Sequence, residues 1–268
     1  MVRTEGLASQ GETPRRVLAR ADGRLRPFLA RDYVGFVESS PPFGQRLMPP
    51  TATVAIILNL GEPFGGLSDA FVAGMEQTAS VLERRADTSC VDLKLTPLGA
   101  FTLLGGLPLH ELTGRSVDIR EVLGRAARDL VEALREAASW PQRFELVESL
   151  LLRCAAAGPQ PSPAIIWVWR QLVQTSGVMR IADLVNETGW SRRHFIAMCR
   201  AQLGLPPKIL ARILQFNQVL EDLDTRHDCS WSELAGEHGY YDQPHLIRAF
   251  HHFTGMAPSD FVARQLDG

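Results

Sequence analysis

Two textures of apolar and polar positions divide the chain. Between residues 27 and 95, apolar residues come in short runs rich in β-branched and aromatic side chains, at 28–37, 51–60, 69–74 and 90–95. Pro and Gly clusters bound the first two runs (Pro41-Pro42, Pro49-Pro50, Gly65-Gly66), a pattern that predicts strands. Short strands at this spacing predict a small antiparallel barrel or sandwich. The periodicity then becomes helical. Residues 98–104 read as a short helix. Residues 117–140 read as a longer one, with Val122, Ala126, Leu130, Val131 and Leu134 apolar and charges between them. Pro141 is expected to break it, and Phe144, Leu146, Val147, Leu150, Leu151 and Cys154 make a further apolar face.

Residues 155–163, Ala-Ala-Ala-Gly-Pro-Gln-Pro-Ser-Pro, read as a linker, because the prolines forbid a continuing helix and stiffen the connection. Ser162 followed by Pro163 then reads as an N-cap and a first helical residue, and the chain is predicted helical to its end. The expected class is α+β: an N-terminal antiparallel β-barrel with helices, followed by an all-α domain. The expected boundaries are a flexible leader at 1–25, an N-terminal domain at 26–156, a linker at 157–163 and a C-terminal domain at 164–268.

The C-terminal part contains a degenerate internal repeat, 181–200 against 231–250. Leu184 matches Leu234 and Gly189 matches Gly239 at an offset of 50. Phe195 matches Leu246, Gly204 matches Gly255 and Pro207 matches Pro258 at an offset of 51. The one-residue slip falls in a turn. Each copy predicts helix, turn, helix: the glycine ends the first helix in a left-handed conformation, an aromatic (Trp190, Tyr240) packs back, and Ser191 or Asp242 caps the second helix. Two helices joined by a short Gly-containing turn are the helix-turn-helix signature. A long helix, predicted from Pro207 to about Leu223, separates the two copies.

This arrangement resembles the DNA-binding domain of the AraC/XylS family of bacterial transcription regulators. The residues that carry the resemblance are Gly239-Tyr-Tyr-Asp-Gln-Pro-His-Leu-Ile-Arg-Ala-Phe250, then Gly255-Met-Ala-Pro258, then Phe261-Val-Ala-Arg264. It extends from about Ser162 to Arg264. The first copy departs at Cys199, where the family commonly has an aromatic. The resemblance implies a regulator that binds double-stranded DNA through two adjacent major-groove segments, contacts RNA polymerase, and carries an N-terminal cupin-like domain that binds a small effector, forms a homodimer, or does both.

By the same resemblance, the groove-facing positions of the first recognition helix are Arg192, Arg193, Ile196 and Ala197, with Arg200 near the phosphate backbone. Those of the second are Gln243, Pro244, His245, Ile247 and Arg248. Lys208 is a further phosphate contact. Periodicity alone selects the same face in the first helix, since Phe195, Met198 and Cys199 form its apolar stripe. Arginine suits bidentate contact with guanine and glutamine with adenine.

Charge complicates the picture. From residue 162 to 268 there are ten Lys/Arg against eleven Asp/Glu, before six histidines, whereas DNA-binding domains are usually basic. The expectation is modest affinity per monomer, steep salt dependence and help from a dimer or second protein.

The chain as a whole has 268 residues, 45% of them hydrophobic, with a formal net charge of −2. That supports a large core and more than one domain. The longest strongly apolar run, 53–60, is too short to span a bilayer, and residues 1–20 carry no apolar signal-peptide region. The expected location is cytoplasmic, away from membranes. The four cysteines, Cys90, Cys154, Cys199 and Cys229, form no CxxC pair and read as reduced, mostly buried thiols.

No enzyme motif is evident, and no catalytic residue, metal or cofactor is expected. His110 is the only histidine before residue 194, which leaves a cupin-type metal site without its ligands. An N-terminal cysteine cluster, as a DNA-repair enzyme that accepts damage on cysteine would need, is absent from the sequence. Arg31, Asp32, Tyr33 and Glu38 either line an effector pocket or lie on the surface. The alternative to effector control is a ligand-independent regulator governed by protein–protein contact.

Overall fold

The computed structural model describes residues 2–5, 15–38, 44–61, 67–84, 88–226 and 230–266. Among these residues there are nine strands, eight of them before the first helix: β1 (Val2–Glu5), β2 (Arg15–Ala19), β3 (Tyr33–Glu38), β4 (Gly44–Met48), β5 (Val54–Asn59), β6 (Ala70–Ala73), β7 (Ser80–Arg84), β8 (Thr88–Leu95) and β9 (Ser116–Asp118). Seven form one antiparallel sheet in the order β1-β2-β3-β8-β5-β6-β9, while β4 and β7 pair separately as a ribbon. The class is therefore α+β, with an N-terminal antiparallel sheet followed by helices. β1 and β9 stand at opposite edges of the seven-stranded sheet, so the described pairing does not close into a ring.

The centre of the sheet follows from its sequence. In β8, Val91, Leu93 and Leu95 are buried and alternate with the partly exposed Asp92 and Lys94, the period-2 pattern of a strand with one core face. Its register sets these three against Leu58, Ile56 and Val54 of β5. β5 is buried along most of its length, which is why it reads as an unbroken apolar run.

Several expectations are corrected. The leader expected at 1–25 contains β1 and β2, and β2 pairs along its full length with β3. Val17, Ala19, Ala21 and Leu25 are buried in the core, so the arginines between them mask a strand. The strand expected at 28–37 begins only at Tyr33. Upstream of it, Leu29 makes a single bridge to Leu95, and Ala30 N–H donates to the Lys94 carbonyl at 2.7 Å.

The helix expected at 98–104 is α1 (Pro97–Leu103), capped by Thr96. A short 3-10 turn follows at Leu109–Glu111. The single helix expected at 117–140 is instead β9, α2 (Ile119–Leu123) and α3 (Arg125–Glu136). Gly124, at φ 59°, separates α2 from α3 in a conformation that other residues resist. Pro141 does not break a helix; it lies in the first turn of α4 (Trp140–Ala157), where its missing N–H costs nothing. The Phe144 ring of α4 stacks on Tyr33 of β3 at 6.0 Å. Gly35 of β3 leaves the space that Trp140 fills, since a Cβ there would lie 2.4 Å from the indole ring.

Seven more helices follow among the described residues: α5 (Pro163–Gln174), α6 (Ile181–Thr188), α7 (Arg192–Leu203), α8 (Pro207–Thr225), α9 (Trp231–Glu237), α10 (Gln243–Thr254) and α11 (Pro258–Leu266). Ser162 takes the N-cap position of α5, but its hydroxyl makes no capping bond. Its N–H donates instead to Gln202 Oε1 of α7 at 2.8 Å. The expected linker is thus packed at both ends: Gly158 lies so close to the Thr102 carbonyl that a Cβ would approach within 2.1 Å.

Three further hydrogen bonds join the sheet-bearing part to the helical part. Thr113 Oγ1 donates to the Gly204 carbonyl (3.0 Å), Asn217 Nδ2 donates to the Pro50 carbonyl (2.8 Å), and Ala79 N–H donates to the Phe253 carbonyl (2.6 Å). No helix among the described residues is long and apolar enough to cross a membrane.

Cys90 and Cys199 are buried, and burial pushes both thiols up to about 12. Cys154 is partly buried and raised for the same reason; Cys229 lies outside the described residues. Because the thiolate is the nucleophile, shifts of this size cut its population at neutral pH by roughly 10³-fold. Native protein treated with a thiol reagent and read by peptide mass spectrometry should leave Cys90 and Cys199 unmodified, with full labelling in denaturant. Rapid native labelling of either would contradict their burial.

Candidate nucleic-acid interface

The two copies of the repeat fold alike, from local rules. After α6, Gly189 adopts φ 66° and ψ 9°; after α9, Gly239 adopts φ 71°. Trp190 packs edge-on against the His194 ring at 4.8 Å, and Tyr240 packs edge-on against the His245 ring at 5.2 Å. Ser191 accepts from His194 N–H (3.3 Å) to cap α7, and Asp242 accepts from His245 N–H (2.7 Å) to cap α10. The two turns therefore place matching groups at matching helix positions.

α8 joins the copies, and its Phe216 ring lies 4.9 Å from both Phe250 and Phe253 of α10. Gln215 Nε2 donates to the His238 carbonyl at 2.7 Å, tying α8 to the end of α9. α9 carries a reciprocal capping box between Ser230 and Glu233. Those bonds to the Glu233 carboxyl, made by the Ser230 N–H and hydroxyl, hold it below the usual carboxylate range.

On α7, Phe195 and Cys199 are fully buried and Met198 is partly buried. Arg192, Arg193, Ala197 and Arg200 are exposed on the other side, and Ile196 is half-buried at the edge. Lys208 is exposed at the start of α8. On α10, Gln243, Pro244, His245 and Arg248 are exposed and Ile247 is half-buried. The structure thus groups the expected positions on the solvent faces of α7 and α10. The contacts with the sheet-bearing part are made at the opposite, C-terminal ends of those helices, at Gly204 and Phe253.

The electrostatics explain how a near-neutral domain presents a cationic face. Asp222 and Glu237 both bond to Arg226, and His238 Nε2 lies 3.1 Å from Asp222 Oδ2. Asp222, Glu237 and His238 bring three metal-ligand atoms within 4.8 Å of one another. The Arg226 guanidinium already bridges the two carboxylates, so this cluster is satisfied as an ion-pair network. Arg192, Arg193 and Arg200, by contrast, make no ion pair among the described residues. Arg192 and Arg193 also occupy the first turn of α7, where a cation opposes the helix dipole by about 0.3–1 kcal/mol. Their placement works against local stability and favours an anionic ligand. Arg248 is less free, with Asp242 Oδ1 at 3.9 Å.

His245 has a defined structural task. Its Nδ1 accepts from Tyr241 N–H at 3.3 Å, which closes the turn and leaves Nε2 to carry the proton of the neutral ring. Arg31, Asp32 and Tyr33 do not converge on a pocket. Arg31 pairs with Asp92, Asp32 accepts from Ala21 N–H, and Tyr33 is 1% exposed with its hydroxyl 3.5 Å from Glu148. The side chain of Glu38 lies outside the described residues. An open cleft of about 440 Å³ lies instead beside the 3-10 turn, where Leu107, Leu112, Val117 and Val122 meet Glu111 and Arg115. Its walls come from one stretch, 104–122, which runs from the end of α1 through the 3-10 turn and β9 into α2, so no single element's periodicity marked it.

Residues 184–264 match the family of helix-turn-helix domains. The sequence matches no curated protein. Among solved structures, the chain is similar to ToxT from Vibrio cholerae, with a TM-score of 0.46 at 11% identity over 87% of this chain and 98% of that one. ToxT from Vibrio cholerae O395 gives 0.44 at 10%, over 86% and 96%. Wild-type ToxT with bound unsaturated fatty acid gives 0.43 at 10%, over 86% and 94%.

Proposed function

We propose that the protein is an AraC-type transcription regulator that reads two adjacent major-groove segments of double-stranded DNA with α7 and α10, the helices that lie within the helix-turn-helix domain matched at 184–264. Residues 164–268 are the reader, and the sheet-bearing part that precedes the linker, β2 included, is the controlling domain. The observation that carries this reading is the exposed trio Arg192, Arg193 and Arg200 on the outer face of α7, without carboxylate partners among the described residues. Ile196, Ala197, Gln243, Pro244, His245, Ile247 and Arg248 complete the groove-facing surface, and Lys208 supplies a phosphate contact.

Because both reading helices belong to one chain, a single monomer spans about one helical turn, ~34 Å, and the site is asymmetric. A homodimer and contact with RNA polymerase fit the modest charge of the reader. Control by a small effector is supported by the cleft beside the 3-10 turn, since Thr113, two residues beyond that turn, holds the Gly204 carbonyl at the end of α7. A ligand that favours one position of this segment shifts the reader between two states. The cleft is open to solvent, which also suits the second reading, control by a protein partner without a ligand.

The test is selection of bound sequences from random double-stranded DNA by the full chain, with Arg192→Ala and Gln243→Ala in parallel. The expected result is an asymmetric site with two conserved segments, in which each variant relaxes a different segment. An unchanged site in both variants would overturn the recognition-helix assignment. Failure to enrich any duplex at low salt would overturn the DNA-binding reading itself.

A further inference from the structure

The two turns differ by one residue, and the caps show which one. Gly189 corresponds to Gly239 by its left-handed backbone, and Trp190 to Tyr240 and Ser191 to Asp242 because each of these two pairs makes the same contact with the helix that follows. Tyr241 is the residue left over. It is 94% exposed, the most exposed large hydrophobic side chain among the described residues. An aromatic ring held in water contributes almost nothing to folding, whereas a buried one contributes heavily. The turn that carries it is nevertheless fixed at three points: Gly239 is left-handed, Tyr240 is buried, and Tyr241 N–H is bonded to His245. The side chain is thus presented from a set backbone position, two residues before Gln243.

We propose that Tyr241 is a DNA-positioning residue whose phenol hydroxyl donates to a phosphate on the strand flanking the groove entered by α10. The inference rests on the DNA-reading function proposed above. The chemistry of the turn favours a neutral donor. The Asp242 carboxylate beside it repels phosphate, although its cap bond to His245 N–H and Arg248 at 3.9 Å temper its charge. A tyrosine reaches past that carboxylate and donates without adding a charge. Residues in the first turn of a recognition helix meet base edges, whereas one before the cap lies at the groove margin, where contacts position the protein rather than specify sequence. The first copy has Arg200 for the backbone and no counterpart of Tyr241, so the two halves hold the backbone by different chemistry.

The test compares the full chain with Tyr241→Phe and Tyr241→Ala on the duplex selected by the wild type, across a salt series. Loss of one hydrogen bond from a neutral donor to an ionised phosphate predicts a drop in affinity of about 10- to 100-fold in both variants. The slope of log affinity against log salt should be unchanged, since a neutral donor displaces no counterion. Base preference and thermal midpoint should also be unchanged. Wild-type affinity in Tyr241→Phe overturns the proposal, as does a loss confined to one base pair or a loss explained by a lowered midpoint. Full DNA affinity with altered self-association or polymerase recruitment would assign Tyr241 to a protein interface instead. If the wild type itself binds no duplex, the DNA-reading function fails and this proposal falls with it.

Discussion

Replacing Phe216 with alanine is expected to destabilise the helical domain by about 3–5 kcal/mol, the usual cost of removing a buried aromatic ring. Phe216 is fully buried at the middle of α8. Its ring meets Phe250 edge-on and lies tilted against Phe253, both at 4.9 Å, and Phe250 in turn touches Trp231 and Phe261. Four helices converge on this cluster, so a cavity there has little freedom to collapse. Against a total stability of about 5–15 kcal/mol, the loss brings the reader close to unfolding at physiological temperature. Urea titration followed by tryptophan fluorescence measures it, and Trp231 lies within 5.7 Å of the Phe250 ring. DNA binding should fail in parallel with folding. A shift of less than about 1 kcal/mol would show that the aromatic cluster is not the centre of this domain.

The helical domain was legible in the sequence because its determinants are local. Gly189, Ser191, Gly239 and Asp242 do what turn and cap chemistry requires of them, and each acts within a few residues of itself. The solvent face of α7 followed from the buried stripe of Phe195 and Cys199 for the same reason. The N-terminal half depends on distant partners, and there the pattern misled. β2 reads as a charged leader until β3 is paired beside it. The run 117–140 keeps helical periodicity across β9 and α2, and only Gly124 and the pairing of β9 with β6 reveal the breaks. The proline-rich segment was legible as a connection but not as one packed against α1 and α7, because that depends on the Thr102 carbonyl and Gln202. Tyr241 was hidden in plain arithmetic: the change of offset from 50 to 51 located an inserted residue, but not its exposure.

The double substitution Arg192→Ala with Arg193→Ala should separate function from stability more sharply than any other change. A bidentate arginine–base contact contributes about 1–3 kcal/mol, so loss of both is expected to weaken binding to the selected duplex by roughly 30- to 1,000-fold at fixed salt, if each contributes near the lower half of that range. The salt slope should fall by up to about 2, according to how many of the two also neutralise phosphate. Stability should move the other way or stay level. Both arginines are exposed, neither pairs with a carboxylate among the described residues, and both sit in the first turn of α7, against the helix dipole. Alanine removes that repulsion and has the best helix propensity, so the thermal midpoint should be unchanged or slightly raised. Opposite signs for affinity and stability mark residues retained for a ligand. A variant that binds duplex DNA with wild-type affinity and slope would show that α7 does not enter the groove. A fall in midpoint would show instead that the arginines serve the fold through contacts that the outer face of α7 does not display.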